Sequence, residues 1–261
     1  MFLSTLVGAF LVVAARAAPV LDGAKPLNST IWTPDYVLQP DEVILYGEGR
    51  MEVVHESIFH GLLADQEISL EAPEVDESFL SFNSSDLSSD LEARDEVSCG
   101  RTLALVTTST QTFIDWDVQM SPVVIGTGTN GLNVYVSSGY SVSNSVSVSA
   151  GLDLGEITSK LSAISTGIDY TRTWSTQTVI QVNGNVPNGF SGVMITKPIK
   201  NRKYGKTMTG CIGSQTQSGT FMADSFEQGS YAGVSWVSGA ITMCVKKQFP
   251  LTRCTGSGKF I

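Results

Sequence analysis

The chain has 261 residues and a formal net charge of −9, a length that suits one large domain or two small ones. Residues 18–94 hold sixteen acidic and three basic residues (net −13), whereas residues 95–261 hold nine acidic and twelve basic ones (net +3). An excess of +3 with few accompanying aromatic residues is too small for a nucleic-acid interface, so nucleic acid is excluded as the partner.

The N-terminus is typical of a secretory signal peptide, which we predict over residues 1–17. Its apolar stretch, residues 2–15, is too short to span a membrane comfortably and ends in small residues with an A-x-A pattern. Two N-x-[ST] sequences, at Asn28 and Asn83, are glycosylation acceptors in a secreted chain. We therefore expect a secreted, extracellular glycoprotein, and no later stretch is apolar enough for a membrane helix.

Residues 18–66 are predicted to form a small acidic element. Residues 41–54, DEVILYGEGRMEVV, have two short apolar runs around Gly-Glu-Gly and predict a hairpin, and residues 55–65 then predict a short helix. The two histidines of the chain, His55 and His60, lie here. Their i, i+5 spacing does not place them on one helix face, so we expect both at solvated surface positions.

Residues 67–98 are rich in Glu, Asp and Ser with only scattered Leu and Phe, which predicts an acidic, disordered linker. The linker contains Arg94, a single basic residue just before the cysteine-bearing region and a candidate processing site. Two interpretations stay open. Residues 18–94 are either a pro-segment that is removed or a solvated linker attached to a small capping element.

Residues 99–261 are predicted to be a disulfide-stapled β domain. The cysteines of the chain all lie there: Cys99, Cys211, Cys244 and Cys254. An even number of cysteines in a secreted chain indicates two disulfides, with three possible connectivities. We predict that Cys244 pairs with Cys254, because the turn between them contains Pro250 and lets neighbouring strands return within disulfide reach. The pair Cys99–Cys211 then follows.

Two alternating runs, residues 132–154 and 168–182, dominate the β domain. In both, apolar residues alternate with Ser, Thr or Asn, which is the period of a β-strand. Between the runs, Ile157, Leu161 and Ile164 have helical spacing. We therefore expect an all-β fold of elongated, twisted antiparallel sheets with a long two-stranded ribbon. The apolar face of the ribbon over residues 141–182 consists of Val142, Val146, Val148, Leu152, Trp174 and Ile180.

A basic decade, residues 197–206, follows the second run. Its positive residues are Lys197, Lys200, Arg202, Lys203 and Lys206. A solvated turn is favoured over a docking surface for this stretch. We also expect it to attract the acidic residues 18–94 and so to let them restrain the β domain.

Enzymatic chemistry has little support in residues 95–261, which contain no histidine. Ser-His-Asp sites, Cys-His sites and His-ligated zinc are therefore excluded there, and paired cysteines leave no thiolate nucleophile. Asp115 and Asp117 flank Trp116, a candidate sugar platform, and two carboxylates about 7 Å apart on a strand suit glycoside hydrolysis. A structural role is favoured for both carboxylates. We expect a protein that is not an enzyme and has no cofactor and no metal.

The paired runs SVSNSVSVSAGLDL and GIDYTRTWSTQTVIQV, joined by GEITSKLSAIST, resemble the insertion region of aerolysin-type β-pore-forming proteins, the epsilon-toxin and mosquitocidal-toxin group. The resemblance covers residues 134–182 and implies an aerolysin-like fold in which such strands flank a loop that becomes a membrane-crossing hairpin. A transmembrane strand needs about nine to eleven alternating residues, and each run is long enough. The chain departs from that family in having no evident receptor-binding lectin domain.

A second resemblance spans nearly the whole chain. The motifs CGRT, DWDVQMSP, GYSVSNSVSV, YTRTWS, GCIGS, FMADSF and WVSGAI, in this order, are similar to those of small secreted effector-like proteins of filamentous fungi. This resemblance implies an extracellular fungal protein and supplies no catalytic residues.

We therefore expect a secreted, non-enzymatic effector-like protein that acts on membranes through the ribbon 141–182. A membrane or a cell-surface receptor is its expected partner, and a homo-oligomer its expected active form. The alternative is a secreted binding module with static sheets that recognises a host or cell-wall glycan or protein without inserting. An aerolysin-like fold suits the first hypothesis and a β-sandwich the second.

Overall fold

The computed structural model describes residues 28–47, 50–82, 102–165, 168–177, 181–231 and 234–261. Within them strands far outnumber helices, and nearly all of the strand pairing is antiparallel. The predicted all-β fold with antiparallel sheets is therefore confirmed.

The described strands are β1 (Thr30–Ile31), β2 (Val37–Leu38), β3 (Glu42–Gly47), β4 (Arg50–His55), β5 (Thr102–Ile114), β6 (Val118–Gln119), β7 (Val124–Ile125), β8 (Leu132–Tyr135), β9 (Ser141–Ser143), β10 (Ser145–Val148), β11 (Thr173–Ser175), β12 (Asn183–Val186), β13 (Ser191–Gly210), β14 (Thr216–Phe226), β15 (Gln228–Tyr231), β16 (Val234–Val237) and β17 (Gly239–Lys246). The described helices are α1 (Glu56–Asp65), α2 (Glu77–Leu80) and α3 (Leu154–Ile164).

The fold is organised around β13, which is 20 residues long. Its first part, residues 191–198, lies between β17 and the short strands β6 and β7. Its second part, residues 199–210, lies between β5 and β14, and β10 adds an edge strand to β14. We call β5, the second part of β13, β14 and β10 the long sheet. A Cβ at Gly205 would come within 2.2 Å of the Phe221 ring, so glycine permits this close packing.

The acidic N-terminal element is part of the same fold. β3 and β4 form the predicted hairpin, and β3 pairs with β17 near the centre of the sheet. Trp32, Ile44 and Tyr46 belong to the main core cluster, where they meet residues of the β domain such as Met194 and Trp236. The predicted division between residues 18–66 and 99–261 is therefore not a boundary between separate cores.

The shared core bears on the pro-segment hypothesis. Release of residues 28–82 would expose the apolar faces of β17 and β13, which costs roughly 25 cal/mol for each Å² of apolar surface. We therefore expect these residues to stay bound even after a cut at Arg94. Arg94 itself lies outside the described residues.

Helix α1 occupies the predicted position and packs against a second core cluster. Its N-cap is His55, whose Nδ1 accepts the N–H of Ser57 at 3.1 Å. Phe59 and Leu63 point inward and contribute to the cluster. His55 is exposed and His60 is half-buried, and each lies near a carboxylate of the same acidic element.

Residues 68–82, which we call the crossing segment, lie across one face of the long sheet. The backbone N–H of Asp76 donates to the Tyr204 hydroxyl at 3.0 Å, and the rings of Phe79 and Tyr204 lie 5.0 Å apart. The Thr220 hydroxyl donates to the carbonyl of Phe79. The predicted disordered linker is therefore wrong for this part, because a few spaced contacts to the sheet hold an otherwise polar segment. Residues 83–98 lie outside the described residues.

The two alternating runs pair only in part. β9 pairs with β11, antiparallel as predicted. β8 pairs instead with β12, which begins at Asn183, just after the second run ends. β10, however, leaves the second run and pairs with β14. The predicted single long ribbon is thus wrong beyond β9, although helix α3 forms between the runs where its periodicity predicts one.

The predicted disulfide between Cys244 and Cys254 is present, with the two Cα atoms 5.7 Å apart. It ties the end of β17 to the C-terminal loop. Cys211 is also disulfide-bonded, and its predicted partner Cys99 lies outside the described residues.

Candidate functional site

The segment that carries the resemblance to pore-forming proteins lies at the edge of the long sheet. We call residues 141–175 the ribbon segment; it comprises β9, β10, α3 and β11. Val142 and Trp174 face each other in the β9–β11 ladder and pack with the main core. Val146, Val148 and Leu152 pack in a separate cluster. The apolar face thus points into the protein, and Ile180 lies outside the described residues.

β10 is attached to the long sheet by one short ladder. Its register pairs four residues with β14, from Ser145 opposite Asp224 to Val148 opposite Phe221. The ladder continues for one more residue, because the N–H of Ser149 donates to the carbonyl of Thr220 at 3.0 Å. Release of β10 would leave the longer ladders of β13 with β5 and β14 in place.

Asn144 turns the chain from β9 into β10 and was not predicted to have a role. Its buried side chain accepts the N–H of Phe226 at 2.8 Å and donates to the carbonyl of Asp169 at 2.7 Å. The sequence contains a signal for this role, because Asn144 occupies an even position where the alternation calls for an apolar residue. A buried amide with two backbone partners fixes the point at which β10 departs from the second run.

Helix α3 covers the face of the long sheet opposite to the crossing segment. Asp153 caps it by accepting the N–H of Glu156 at 2.6 Å. Ile157 and Leu161 are buried against Phe221 and Ala223 of β14. The ribbon segment therefore shares a small core with β14 and β5, which is distinct from the main core that Val142 and Trp174 join.

The basic decade lies within β13 and is not the solvated turn that was predicted. The charges are neutralised by distant residues: Lys197 pairs with Glu56, and Lys200 lies 2.6 Å from Asp115. Lys203 is half-buried and Lys206 is exposed. The predicted attraction to the acidic segment has a direct counterpart in the Lys197–Glu56 pair, whose carboxylate belongs to α1.

Arg202 forms the most buried ion pair of the basic decade. Its Nε and a terminal nitrogen donate to the two carboxylate oxygens of Asp224, each at 2.8 Å. The two residues are only 6% and 5% exposed. The hydrogen bonds to Asp224 raise the pKa of Arg202 despite its burial, so the guanidinium stays charged. This pair joins β13 to β14 at Asp224, the residue that lies opposite Ser145 of β10.

Glu227 lies at the end of β14 and should make stability depend on pH. Burial raises the pKa of its carboxyl to about 7 from an ordinary value of 4.5, although a hydrogen bond from Asn201 acts in the opposite direction. Between these pH values the folded protein keeps a proton that the unfolded chain has lost. The free energy of unfolding should therefore fall as pH rises through this window.

Since Glu227 is partly solvated, we expect the fall to be about 1–2 kcal/mol between low and neutral pH. Urea denaturation of the wild type and of Glu227→Gln at several pH values measures it. The fall in the free energy of unfolding with rising pH should be smaller in the variant than in the wild type. An identical pH dependence in both proteins would contradict the raised pKa of Glu227.

Asp115, Trp116 and Asp117 do not lie on one strand face but form the turn between β5 and β6. Asp115 binds Lys200, and Oδ2 of Asp117 accepts the N–H groups of Cys254 and Thr255 at 2.6 and 2.7 Å. Burial raises the pKa of Asp117, with these backbone donors opposing the rise. Both carboxylates are thus held by partners within the protein, which is the structural role favoured by the sequence.

Asn28, one of the two candidate glycosylation acceptors, is exposed. The other, Asn83, lies outside the described residues. Among the described helices, none is both long and apolar enough to cross a membrane.

Comparison of the chain with known protein families, with curated proteins and with solved structures finds no match.

Proposed function

We propose that the protein is a secreted, non-enzymatic effector that acts on membranes in the manner of β-pore-forming proteins. In this proposal the ribbon segment leaves the long sheet, and its apolar face turns from the protein to lipid. The observation that carries the proposal is the position of β10 as an edge strand, held by a four-pair ladder and by a small cluster that it shares with α3, β14 and β5.

The two faces of β10 suit both a position on the protein core and a position in lipid. Ser145 is exposed, and Val146 and Val148 are half-buried against the sheet. Alternating polar and apolar residues are what a lipid-facing strand requires on its two sides. The same apolar residues can therefore face a protein core before insertion and lipid after it.

The rest of the fold keeps its strand pairing when the ribbon segment leaves the long sheet. β13 keeps its ladders with β5, β14 and β17 when β10 departs, and the N-terminal hairpin remains joined through β3. The Cys244–Cys254 disulfide agrees with an extracellular protein, since disulfides persist in oxidising compartments.

Vesicle leakage tests the proposal. We expect the secreted protein to release a trapped dye from liposomes and to form oligomers that resist detergent. Ser145→Asp and Val146→Asp are a matched pair, since each adds one carboxylate to β10 but on opposite faces. A lipid-facing carboxylate opposes insertion, so leakage should survive the first change and be lost with the second.

Denaturation of both variants serves as the control, because Val146→Asp weakens the soluble fold and Ser145→Asp places a carboxylate opposite Asp224. If the wild type causes no leakage with any lipid composition, or if the two variants leak equally, the proposal is wrong. Tight binding to a surface without leakage would favour the alternative of a static binding module.

A further inference from the structure

Trp116 differs from the other tryptophans of the chain in its exposure. It is 47% exposed, whereas Trp32, Trp174 and Trp236 are 5%, 5% and 6% exposed. A half-exposed indole on the surface of a folded protein offers a large, flat apolar area to a ligand.

The turn that carries Trp116 is held on both sides. The N–H of Asp115 donates to the carbonyl of Pro198 at 2.9 Å, and the carboxylate of Asp115 lies 2.6 Å from Lys200. On the other side, Asp117 accepts two N–H groups from the C-terminal loop. The backbone on which the indole is mounted is therefore fixed before any ligand arrives.

Gly256 fixes the orientation of the ring. It has a φ of +90°, and a Cβ there would lie 2.3 Å from Cγ of Trp116. The backbone of the C-terminal loop thus packs directly on the indole, and the Cys244–Cys254 disulfide anchors this loop two residues earlier. The remaining surface of the ring is presented to solvent in a set position.

Trp116 is the common wall of three surface hollows. Their volumes are about 450, 440 and 280 Å³. The polar residues that line the first include Glu56, His60, Glu71 and Lys197. Those of the second are Glu74, Asp115, Lys200 and Arg202. Those of the third include Asp117, Gln119, Tyr140 and Arg253. The ring therefore stands where three polar depressions meet.

The acidic and basic side chains that line the hollows limit the class of ligand that can bind there. Each hollow contains both acidic and basic side chains, so neither a strongly anionic nor a strongly cationic ligand finds a complementary field. An apolar ligand would take these charged side chains out of water and supply no hydrogen bonds in return, which costs free energy. A chain of sugars, by contrast, carries hydroxyl groups that donate and accept, and its rings have C–H faces that pack on aromatic rings.

We propose that the surface around Trp116 binds a neutral oligosaccharide, with one pyranose ring stacked on the indole and neighbouring rings in the adjoining hollows. The inference goes beyond membrane action and does not depend on it. Sugar binding is measured without a membrane, so its failure and the failure of the leakage experiment are distinguishable.

Intrinsic fluorescence gives a selective readout, because the other tryptophans are buried. The full-length protein is titrated with chitotetraose, cellotetraose, laminaritetraose and a mannotetraose. We expect at least one of them to shift the tryptophan emission saturably and to protect Trp116 from quenching by acrylamide. Calorimetry then gives the affinity.

Trp116→Ala should weaken binding of that sugar by about tenfold or more, as expected for loss of a stacking surface. Tyr135→Ala is the matched control, since Tyr135 is 51% exposed but lines none of the three hollows; it should bind as the wild type does. Trp116→Phe, which keeps a smaller ring, should retain part of the affinity. The proposal is overturned if none of the four sugars binds, or if Trp116→Ala and Tyr135→Ala bind equally.

Discussion

A disulfide that joins β10 to β14 is expected to abolish vesicle leakage in the oxidised protein and to permit it again after reduction. Val146 and Ala223 lie directly opposite each other in the ladder, and directly opposed antiparallel residues have Cα separations of about 4.5–5.5 Å, which suit a disulfide. In the double variant Val146→Cys/Ala223→Cys the ribbon segment cannot leave the sheet. Because insertion requires its departure, leakage should fall to the level of protein-free vesicles.

A second pair of cysteines is the matched control. The hydroxyls of Ser143 and Thr173 lie 2.7 Å apart across β9 and β11, so Ser143→Cys/Thr173→Cys staples the ribbon segment to itself. It adds the same number of thiols but no tether to the sheet. Leakage by this variant should not depend on oxidation.

Wild-type protein treated with the same reductant shows what the native disulfides contribute. Mass spectrometry of peptides verifies that each engineered pair has formed. Leakage by the oxidised Val146→Cys/Ala223→Cys variant at the wild-type rate would show that β10 stays on the sheet during the activity and would remove the ribbon segment from the mechanism.

Asp224→Asn is expected to be among the most destabilising single substitutions in the long sheet. It leaves the guanidinium of Arg202 buried without its bidentate partner, and Lys200 Nζ, 3.4 Å from Asp224, also loses a carboxylate. Breaking one side of a buried ion pair costs about 3–5 kcal/mol. Urea denaturation at neutral pH measures the loss.

An ion pair with one exposed partner provides the comparison. Arg50 lies 3.1 Å from Glu52, and the two side chains are 44% and 12% exposed. Because the Ser29 hydroxyl also donates to Glu52, Arg50→Ala leaves that carboxylate with a partner and should cost only about 1 kcal/mol. The double variant Arg202→Met/Asp224→Leu removes both charges, and it should be much more stable than Asp224→Asn. Equal losses of unfolding free energy for Asp224→Asn and Arg50→Ala would show that the buried Arg202–Asp224 pair stabilises the sheet no more than the Arg50–Glu52 pair does.

Local sequence patterns were sufficient for several elements. The hairpin over residues 41–54, the helix after His55 and helix α3 all form where their periodicity predicts them. The Cys244–Cys254 disulfide likewise closes over a short turn. In each case the determining contacts lie within about a dozen residues, so the period of the side chains and the turn residues carry the information.

The partners of the strands and charges were decided by tertiary structure. The alternation in residues 132–154 predicts strands, but β10 pairs with β14 and not with the second run. The buried amide of Asn144 lies where β10 leaves the second run. The basic decade looked like a solvated turn because Glu56 and Asp224 are distant in sequence and meet it only in the folded sheet.

The same difference between local pattern and long-range packing distinguishes the two candidate sites, the ribbon segment and the surface at Trp116. The ribbon segment was visible in the sequence, since its alternation is a local property of the chain. At Trp116 the sequence indicated only a candidate sugar platform, and the surface around it was not predicted, because its hollows combine α1, the crossing segment, β13 and the C-terminal loop. Whether a tryptophan in an Asp-Trp-Asp turn is buried or exposed depends on which distant segments pack beside it, and here Gly256 packs on the ring and leaves it half-exposed. The sequence by itself determined strand content, local turns and the alternating segment, whereas long-range packing decided which faces were covered and which remained open to a ligand.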